Sequence, residues 1–319
     1  MLKIGSRRSL FWTFCTGLSN PWVVVMLAIR PERNSVAKIK LLDQVLPIGV
    51  SGIQLKPLYY FCCLRKISTH RSGLISISLP GGDIVYTISD LLKPRILEMM
   101  VYANIYGPLG LELREFDNSH YLAEVIQHDQ STKLIVDKND GVGIIGEVFC
   151  DNVYGRLSGD VKGKTVIDVG AFIGDTAIFF AKNGAREIYA YESDESFYKL
   201  AKENVIRNDI RNVHLYNYSV GENLGQIIRD IGNVGLLKMD CEGCEYPAID
   251  SLSNDSLAKI EKIVLEYHGS PDEIVRKLKN SNFDVMVEKA WTKIDKKPIG
   301  FLVATRNLKG EAQTNQSTS

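Results

Sequence analysis

The chain has 319 residues, and its 38 lysines and arginines balance its 38 aspartates and glutamates, which gives a formal net charge of zero at pH 7. This balance disfavours a protein that is held to nucleic acid by a basic surface. Hydrophobic residues make up 45% of the sequence, enough for a large core, and the length predicts more than one domain. The six cysteines do not indicate a secreted scaffold held by disulfides, because a core of this size needs none.

The first thirty residues contain apolar stretches that resemble a signal peptide. Arg7 and Arg8 precede an apolar run at residues 10–18, and a second run covers residues 22–29. Polar residues and Pro21 interrupt these runs, whereas a membrane-spanning helix needs about twenty mostly apolar residues. We therefore expect a cytoplasmic protein whose N-terminal segment is an amphipathic helix, either soluble or in peripheral contact with a membrane.

The remainder of the first half predicts a small α+β region. Residues 75–79 and 84–88 flank a Pro-Gly-Gly-Asp turn and predict a hairpin. The other elements predicted here are apolar helical stretches within residues 1–70, a helix over residues 91–106, and a second hairpin that joins residues 134–136 to residues 142–148. We expect residues 1–144 to cap the domain that follows and to select the acceptor substrate.

Residues 165–176 carry the most informative motif, a short apolar strand followed by a glycine turn and a helix start. Asp168 lies in the strand, Gly170 and Gly174 form the turn, and Asp175 opens the helix. Such a turn at the carboxyl end of a parallel strand binds nucleotide-like ligands. The glycine spacing is not that of the dinucleotide fingerprint, and no phosphate-binding lysine is present. The ligand expected is therefore a nucleoside joined to an amino acid without phosphate, for which S-adenosylmethionine is the common example.

Two further features extend this predicted cofactor site. Glu192 closes the next predicted strand, where a carboxylate can accept hydrogen bonds from both ribose hydroxyls. Asp168 is expected to accept from backbone amides of its own turn and to meet the methionine ammonium group. The other cofactor-binding residues predicted are Gly170, Ala171 and Gly174 in the turn, and Ser219 near the adenine; Asn204 and Asn208 are expected to face solvent.

The second half alternates strands and helices, which predicts a doubly wound parallel sheet covered on both faces. The elements predicted are strands at residues 165–169, 188–191, 213–218, 235–240 and 263–266, and helices at 175–182, near 193–205 and from Ser270. Ser270 is expected to cap this last helix, with Pro271 at its first position. Two closing strands, at residues 283–287 and 300–305, have no helix between them and predict an antiparallel pair at the sheet edge. Residues 307–319 are polar and predicted to be disordered.

Titratable residues lie at the ends of the fourth and fifth predicted strands. Asp240, Glu242 and Glu245 come after one, and His268 ends the next. Such groups can deprotonate an acceptor hydroxyl, or they can hold a hard divalent cation that does so. The alternative is structural: Asp240 caps the next helix or pairs with Lys238, and His268 bonds a loop.

These segments together resemble the FkbM-type family of S-adenosylmethionine-dependent methyltransferases. The resemblance rests on residues 168–175, Glu192, the Lys-Met-Asp-Cys-Glu-Gly-Cys-Glu run at 238–245 and Leu-Glu-Tyr-His at 265–268, with Glu147 and Tyr154 near the start of the domain. Phe172 departs from the family, which usually has asparagine there, and Cys241 and Cys244 replace small or branched apolar residues. The resemblance implies a class I (Rossmann-like) methyltransferase domain of seven mostly parallel strands over residues 145–306.

The C-x-x-C pair admits more than one interpretation. Cys241 and Cys244, with the adjacent Cys62 and Cys63, have the residue types of a zinc site, but the vicinal pair has poor geometry for ligation. We expect Cys241 and Cys244 to be structural thiols, and nothing around them resembles a thioredoxin-type unit.

The function predicted is methyl transfer to an oxygen of a sugar, glycolipid or other small polyol. Asp240, Glu242 and His268 are the predicted catalytic residues, with a divalent cation on the same three residues if the enzyme depends on metal. A nicotinamide-dependent oxidoreductase is the alternative enzyme class, disfavoured by the glycine spacing. A non-catalytic binding protein on the same fold is the other alternative. The partner expected is a small-molecule or glycan acceptor rather than nucleic acid, and the sequence predicts no oligomeric state.

Overall fold

The structure is a computed structural model that describes residues 35–41, 44–50, 67–69, 74–79, 82–87, 106, 109–127, 130–138, 141–288, 291–292 and 298–307. The chain divides into two compact units, residues 1–151 and residues 152–319. The apolar runs predicted at 10–18 and 22–29, Cys62 and Cys63, nearly all of the helix predicted at 91–106, and the tail from residue 310 lie outside the described residues. Within those described residues, every helix is too short or too polar to cross a bilayer.

The described residues of the first unit mostly form antiparallel strands that pair with their neighbours in sequence. The strands are β1 (Ser35–Leu41), β2 (Gln44–Val50), β3 (Ile67–Thr69), β4 (Leu74–Leu79), β5 (Gly82–Thr87), β6 (Leu111–Glu115), β7 (His120–Gln127) and β8 (Gln130–Asp137). They form one two-stranded and two three-stranded sheets, in the orders β1-β2, β3-β4-β5 and β6-β7-β8. The hairpin predicted around Pro80 is confirmed by the β4–β5 pairing.

Residues 35–50 form the β1–β2 hairpin, inside the range 1–70 for which helical stretches without stated bounds were predicted. One prediction for this unit is wrong. Residues 142–148, expected to be a strand, lie in helix α1 (Gly141–Ile145) and a following π-helical turn (Gly146–Cys150). Val142, Ile145, Val148 and Phe149 are buried at helical spacing while Glu147 is exposed. A short apolar run is compatible with either period, and strand β8 takes β7 as its hairpin partner instead.

The second unit alternates strands and helices. Its helices are α2 (Val153–Ser158), α3 (Asp175–Lys182), α4 (Glu195–Arg207), α5 (Leu224–Ile231), α6 (Glu245–Ser251), α7 (Asn254–Leu257) and α8 (Asp272–Asn280). Its strands are β9 (Thr165–Val169), β10 (Glu187–Glu192), β11 (Val213–Asn217), β12 (Leu236–Met239), β13 (Lys262–His268), β14 (Phe283–Val287), β15 (Trp291–Thr292) and β16 (Pro298–Arg306).

The sheet order is β11-β10-β9-β12-β13-β16-β14, with β15 paired to β16. Strand β16 runs antiparallel to β13 and β14, and the other pairs along this path are parallel. This is the predicted Rossmann-like, class I methyltransferase arrangement of seven mostly parallel strands. The closing pair, β14 and β16, is antiparallel and lies at the sheet edge as predicted, with β14 outermost.

The chain reverses its direction of travel across the sheet at β9. It moves outward through β10 and β11 and then returns to place β12 on the other side of β9. The carboxyl ends of β9 and β12 therefore flank the topological switch point, where open α/β sheets bind their ligands. Every residue of β9 and of β12 is buried, because helices cover both faces of these central strands.

Local sequence signals account for the helix ends. The Asp194 side chain accepts hydrogen bonds from the amides of Ser196 and Phe197 at the start of α4. Helix α3 ends at Lys182, as predicted. Gly184 follows it with a φ of 84°, a conformation that favours glycine after a helix. Helix α8 begins at Asp272 with Pro271 as its N-cap, so the predicted capping by Ser270 is wrong by one residue.

Candidate active site at the switch point of the sheet

The glycine turn after β9 is held by its own backbone. The amides of Gly170 and Ala171 both donate to the carbonyl of Tyr191, at 3.0 Å each, and the Gly174 amide donates to the Ala171 carbonyl at 2.7 Å. Gly170 has a φ of 77°, and a Cβ atom there would lie 1.7 Å from the carbonyl oxygen of Asp240. Glycine is therefore required at this position both for its conformation and for the close approach of the β12 end.

Glu192 fixes the same turn from the end of β10. Its Oε2 accepts from the amide of Phe172 and its Oε1 from the amide of Asp194, both at 2.8 Å. Phe172 takes a φ of 46°, unusual for an aromatic residue, and its ring centroid lies 4.4 Å from that of Phe197. A carboxylate has about four acceptor sites, so two remain for the ribose hydroxyls predicted as its ligands. Glu192 is 8% exposed.

Asp168 has partners other than the turn amides predicted for it, and that detail of the prediction is wrong. Its Oδ2 accepts from the Thr176 hydroxyl at 2.6 Å, and its Oδ1 lies 3.0 Å from the Nζ of Lys238. Lys238 also donates to the Gly170 carbonyl at 2.7 Å. Asp168 and Lys238 are paired across the β9–β12 register and are both buried. This ion pair ties the two central strands together beneath the turn.

Asp175 adds a second buried carboxyl to this region. It lies in the first turn of α3 and is 3% exposed. Burial raises its pKa to about 7, an effect that nearby Lys238 opposes and Asp168 reinforces. The turn therefore contains one carboxyl paired with a lysine and a second carboxyl whose pKa lies near 7.

Two asparagines on α4 differ in their surroundings. Asn204, predicted to face solvent, is fully buried, and its Nδ2 donates to the Ile173 carbonyl at 3.0 Å. That prediction is wrong for Asn204, which holds the glycine turn from behind. Asn208 bonds the carbonyl of Asn204, and Ser219 is exposed after β11.

Asp240 follows β12 directly and faces a buried tyrosine. Its Oδ2 accepts from the Tyr154 hydroxyl at 3.2 Å. The Tyr154 ring packs edge-on against Phe180 and Phe301, and the Nζ of Lys238 lies 5.6 Å from its centroid. Burial, and then the negative charge of Asp240, raise the pKa of Tyr154. The tyrosine therefore stays protonated and can only donate to Asp240.

His268 ends β13 and is oriented by an acid on α6. Its Nδ1 lies 2.5 Å from the Oε1 of Glu245, which is fully buried and also accepts from the Gly243 amide at 2.6 Å. Its Nε2 lies 3.5 Å from the Oε2 of Glu242. The hydrogen bond that the imidazole donates to Glu245 is the main cause that raises the pKa of His268, with burial opposing it.

Glu266 is a site residue that was not predicted. One carboxylate oxygen of Glu266, one of Asp240 and one ring nitrogen of His268 all lie within 4.8 Å of one another. Strand periodicity contains the signal, because residues 266 and 268 are two apart and share a face of β13. The structure thus brings the predicted Asp240 and His268 together and adds Glu266, whereas the Glu242 side chain is 73% exposed.

Cys241 and Cys244 are joined by a disulfide. The prediction of structural thiols is wrong in that respect, and the zinc alternative fails because neither sulfur is a free thiolate. The bond encloses Glu242, which has a φ of 55°, and Gly243, with a φ of 121°. It therefore constrains the short loop between Asp240 and the buried Glu245.

The chain belongs to the same protein family as Uncharacterized protein 65 of Sulfolobus islandicus filamentous virus (isolate Iceland/Hveragerdi). The two are 32% identical over 134 residues, which are 41% of this chain and 76% of the viral protein. Uncharacterized protein 158B of Sulfolobus islandicus rod-shaped virus 1 is 30% identical over 129 residues, which cover 39% of this chain and 74% of that protein. No family model matches the chain.

Solved methyltransferase structures are similar to part of the chain. They include a precorrin-6y C5,15-methyltransferase from Geobacter metallireducens, with 18% identity, a TM-score of 0.38, and coverage of 49% of this chain and 89% of that one. The magnesium protoporphyrin IX methyltransferase of Synechocystis with bound SAM has 16% identity, a TM-score of 0.40, and coverage of 52% and 82%. A ribosomal protein L11 methylase from Lactobacillus delbrueckii has 20% identity, a TM-score of 0.37, and coverage of 49% and 77%. At these low identities and scores the likeness concerns the fold alone.

Proposed function

We propose that the chain is an S-adenosylmethionine-dependent methyltransferase of the FkbM type that methylates a hydroxyl of a sugar, glycolipid or other polyol. The observation that supports this most is that the predicted cofactor turn and the predicted catalytic residues lie side by side at the switch point. Gly170 of the predicted cofactor turn comes so close to Asp240 that a side chain would not fit between them. A cofactor bound on the turn would therefore place its methyl group near the acids at the carboxyl ends of β12 and β13.

The charges of this region suit the cofactor. S-adenosylmethionine carries positive charge on its sulfonium and its ammonium groups, and no phosphate. Asp240 and Glu266 offer negative charge near the turn, and Lys238 is already paired with Asp168. A phosphate-bearing dinucleotide would meet repulsion here instead.

The chemistry requires a base beside the acceptor. The acceptor oxygen attacks the methyl carbon, a C–O bond forms, the C–S bond breaks, and its electron pair stays on sulfur. The hydroxyl proton must leave to a base or to a cation-bound hydroxide, because a neutral alcohol is a poor nucleophile. Asp240 and His268 are the groups proposed for this role, and a divalent cation between them would supply the same activation. Alignment of the two reactants provides the rest of the rate enhancement.

Cofactor binding is tested first, by calorimetry of the full chain with S-adenosylmethionine, S-adenosylhomocysteine and NAD. We expect binding of the two sulfur compounds and none of NAD. Binding of NAD at micromolar concentration, with no response to either sulfur compound, would overturn the proposal. Glycan and glycolipid panels with radiolabelled cofactor then identify the acceptor, and labelling of RNA alone would refute the proposed acceptor class.

Asp240→Asn separates catalysis from binding. The amide keeps the shape of the side chain but can neither take a proton nor neutralise a cation, so we expect near-normal cofactor affinity and a methyl-transfer rate lower by roughly 10²–10⁴-fold. Glu273→Gln, an exposed change on α8, is the matched control and should retain full activity. Turnover of Asp240→Asn at the wild-type rate would return Asp240 to a structural role.

A further inference from the structure

The parallel register of β12 and β13 places three potential metal ligands side by side. Met239 is the register partner of Leu265, so the next residues along lie side by side, with Asp240 just past the end of β12 and Glu266 still within β13. His268 lies on the same face of β13 as Glu266, one strand period further on. This alignment explains why their ligand atoms lie within 4.8 Å of one another.

The orientation of His268 provides an independent observation. Its ring is 10% exposed, and its Nδ1 is held by the fully buried Glu245. The Nε2 is thereby turned toward carboxylates, at 3.5 Å from Glu242 and 3.9 Å from Glu266. Metal-binding histidines are usually held in this way, with one nitrogen on a carboxylate and the other on the metal.

Negative charge accumulates at this end of the strands. Asp240, Glu266 and Glu245 converge on one imidazole. The buried ammonium of Lys238 contacts Asp168 and the Gly170 carbonyl, and its charge also acts on Asp240. Carboxylates at such short range repel one another in a partly buried site, and a divalent cation relieves that repulsion.

We propose that Asp240, Glu266 and His268 bind a divalent cation through two carboxylate oxygens and Nε2, with Glu245 as the residue that orients the histidine. The proposal deepens the proposed methyltransferase function, on which its catalytic meaning rests, and it replaces Glu242 by Glu266 in the predicted ligand set. Oxygen ligands with one imidazole suit Mn²⁺ best among the common ions and Mg²⁺ next. Water and the acceptor hydroxyl would fill the remaining positions, and bound cation would lower the pKa of that hydroxyl.

The test is a titration of the chelator-treated full chain with Mn²⁺, followed by calorimetry and by the loss of the free-ion electron paramagnetic resonance signal. We expect one Mn²⁺ per chain, displaced by excess Mg²⁺. Glu266→Gln and His268→Gln should each weaken binding by tenfold or more, and Glu273→Gln should leave it unchanged. Circular dichroism of each variant establishes that it is folded, and Asp240→Asn serves as a third ligand variant if one of the others does not fold.

Two outcomes would overturn the cation site: no Mn²⁺ bound by the wild-type chain, or equal affinity in wild type and in folded Glu266→Gln. Calorimetry with S-adenosylhomocysteine on the same samples distinguishes the two proposals. If the chain binds this compound but does not bind Mn²⁺, the cation site is refuted and the methyltransferase proposal stands. Binding of Mn²⁺ with no response to either sulfur cofactor would support the site and refute the methyltransferase.

Discussion

Two groups of acids in the second unit have the same side chains but different surroundings. One group lies around the glycine turn, and the other lies at the carboxyl ends of β12 and β13. Asp168 and Glu192 each have both carboxylate oxygens engaged by groups of the protein itself: a threonine hydroxyl, a lysine ammonium and two backbone amides. Asp240 and His268 also have protein partners, Tyr154 and Glu245, but their ligand atoms and one oxygen of Glu266 converge on one another as well.

The acids around the turn fix the shape of the site, whereas those at the ends of β12 and β13 are placed to take part in binding or catalysis. A buried carboxylate whose two oxygens each hold a protein group stabilises the fold and keeps the turn in one conformation, and Glu192 still has two acceptor sites for a cofactor. Carboxylates that converge lower the stability of the fold by mutual repulsion. Such groups are usually retained because they bind a ligand or take part in a reaction. The comparison predicts that substitutions in the turn act on stability, whereas substitutions after β12 and β13 act on binding and turnover.

The largest effect is expected from Gly170→Ala. The added methyl group would lie 1.7 Å from a backbone oxygen of Asp240, so the ends of β9 and β12 would have to separate. We expect the free energy of unfolding to fall by more than about 4 kcal/mol, measured by urea denaturation. Gly163→Ala is the matched control, with a φ of 72° but no atom within 4 Å of the new Cβ; equal losses would show that backbone strain rather than the close approach decides the effect.

A loss of about 3–5 kcal/mol is expected from Lys238→Met, because it leaves Asp168 as an uncompensated buried charge. Lys199→Met removes a lysine that is mostly exposed and paired with Glu195, and should change stability by less than about 0.5 kcal/mol. The double variant Lys238→Met with Asp168→Asn should recover part of the loss. If Lys238→Met were as stable as Lys199→Met, the turn acids would not be structural and the comparison would fail.

A smaller effect, visible as a pH dependence, is expected from Asp175→Asn. Burial raises the pKa of Asp175 to about 7, so between about pH 4 and pH 7 the folded state keeps a proton that the unfolded state releases. Stability due to this group is therefore full at low pH and is lost as pH rises, by up to about 1.4 kcal/mol per pH unit. Asp175→Asn should remove this slope from thermal midpoints measured across that range, whereas Asp272→Asn, exposed in the first turn of α8, should retain it.

Much of the second unit was predictable because its signals are local. Short apolar runs separated by turns and helix starts recur along the chain, and each strand from β9 to β14 lies within a few residues of its predicted position. Parallel strands joined by single helices can form only a small number of sheets. In the first unit, the short apolar run at residues 142–148 was assigned the wrong period.

The site residues divide in the same way. Asp240 and His268 were predicted because each follows a recognisable strand, and the structure brings them together. Asn204 was misplaced and Glu266 was missed, because their roles depend on contacts with residues far along the chain. The partners of Asp168 were misassigned for the same reason: Lys238 lies 70 positions away in sequence and adjacent only across the sheet.

The sequence by itself determined the order of elements in the second unit, the glycine turn and the position of acids at strand ends, since these follow from residue periodicity and from the conformational freedom of glycine. Only the tertiary structure decided which acids are satisfied and which converge. Strand register sets that outcome: pairing Lys238 with Asp168 neutralises one carboxylate, and pairing Met239 with Leu265 brings Asp240 beside Glu266. Register is chosen by packing across the whole sheet, and no local pattern encodes it.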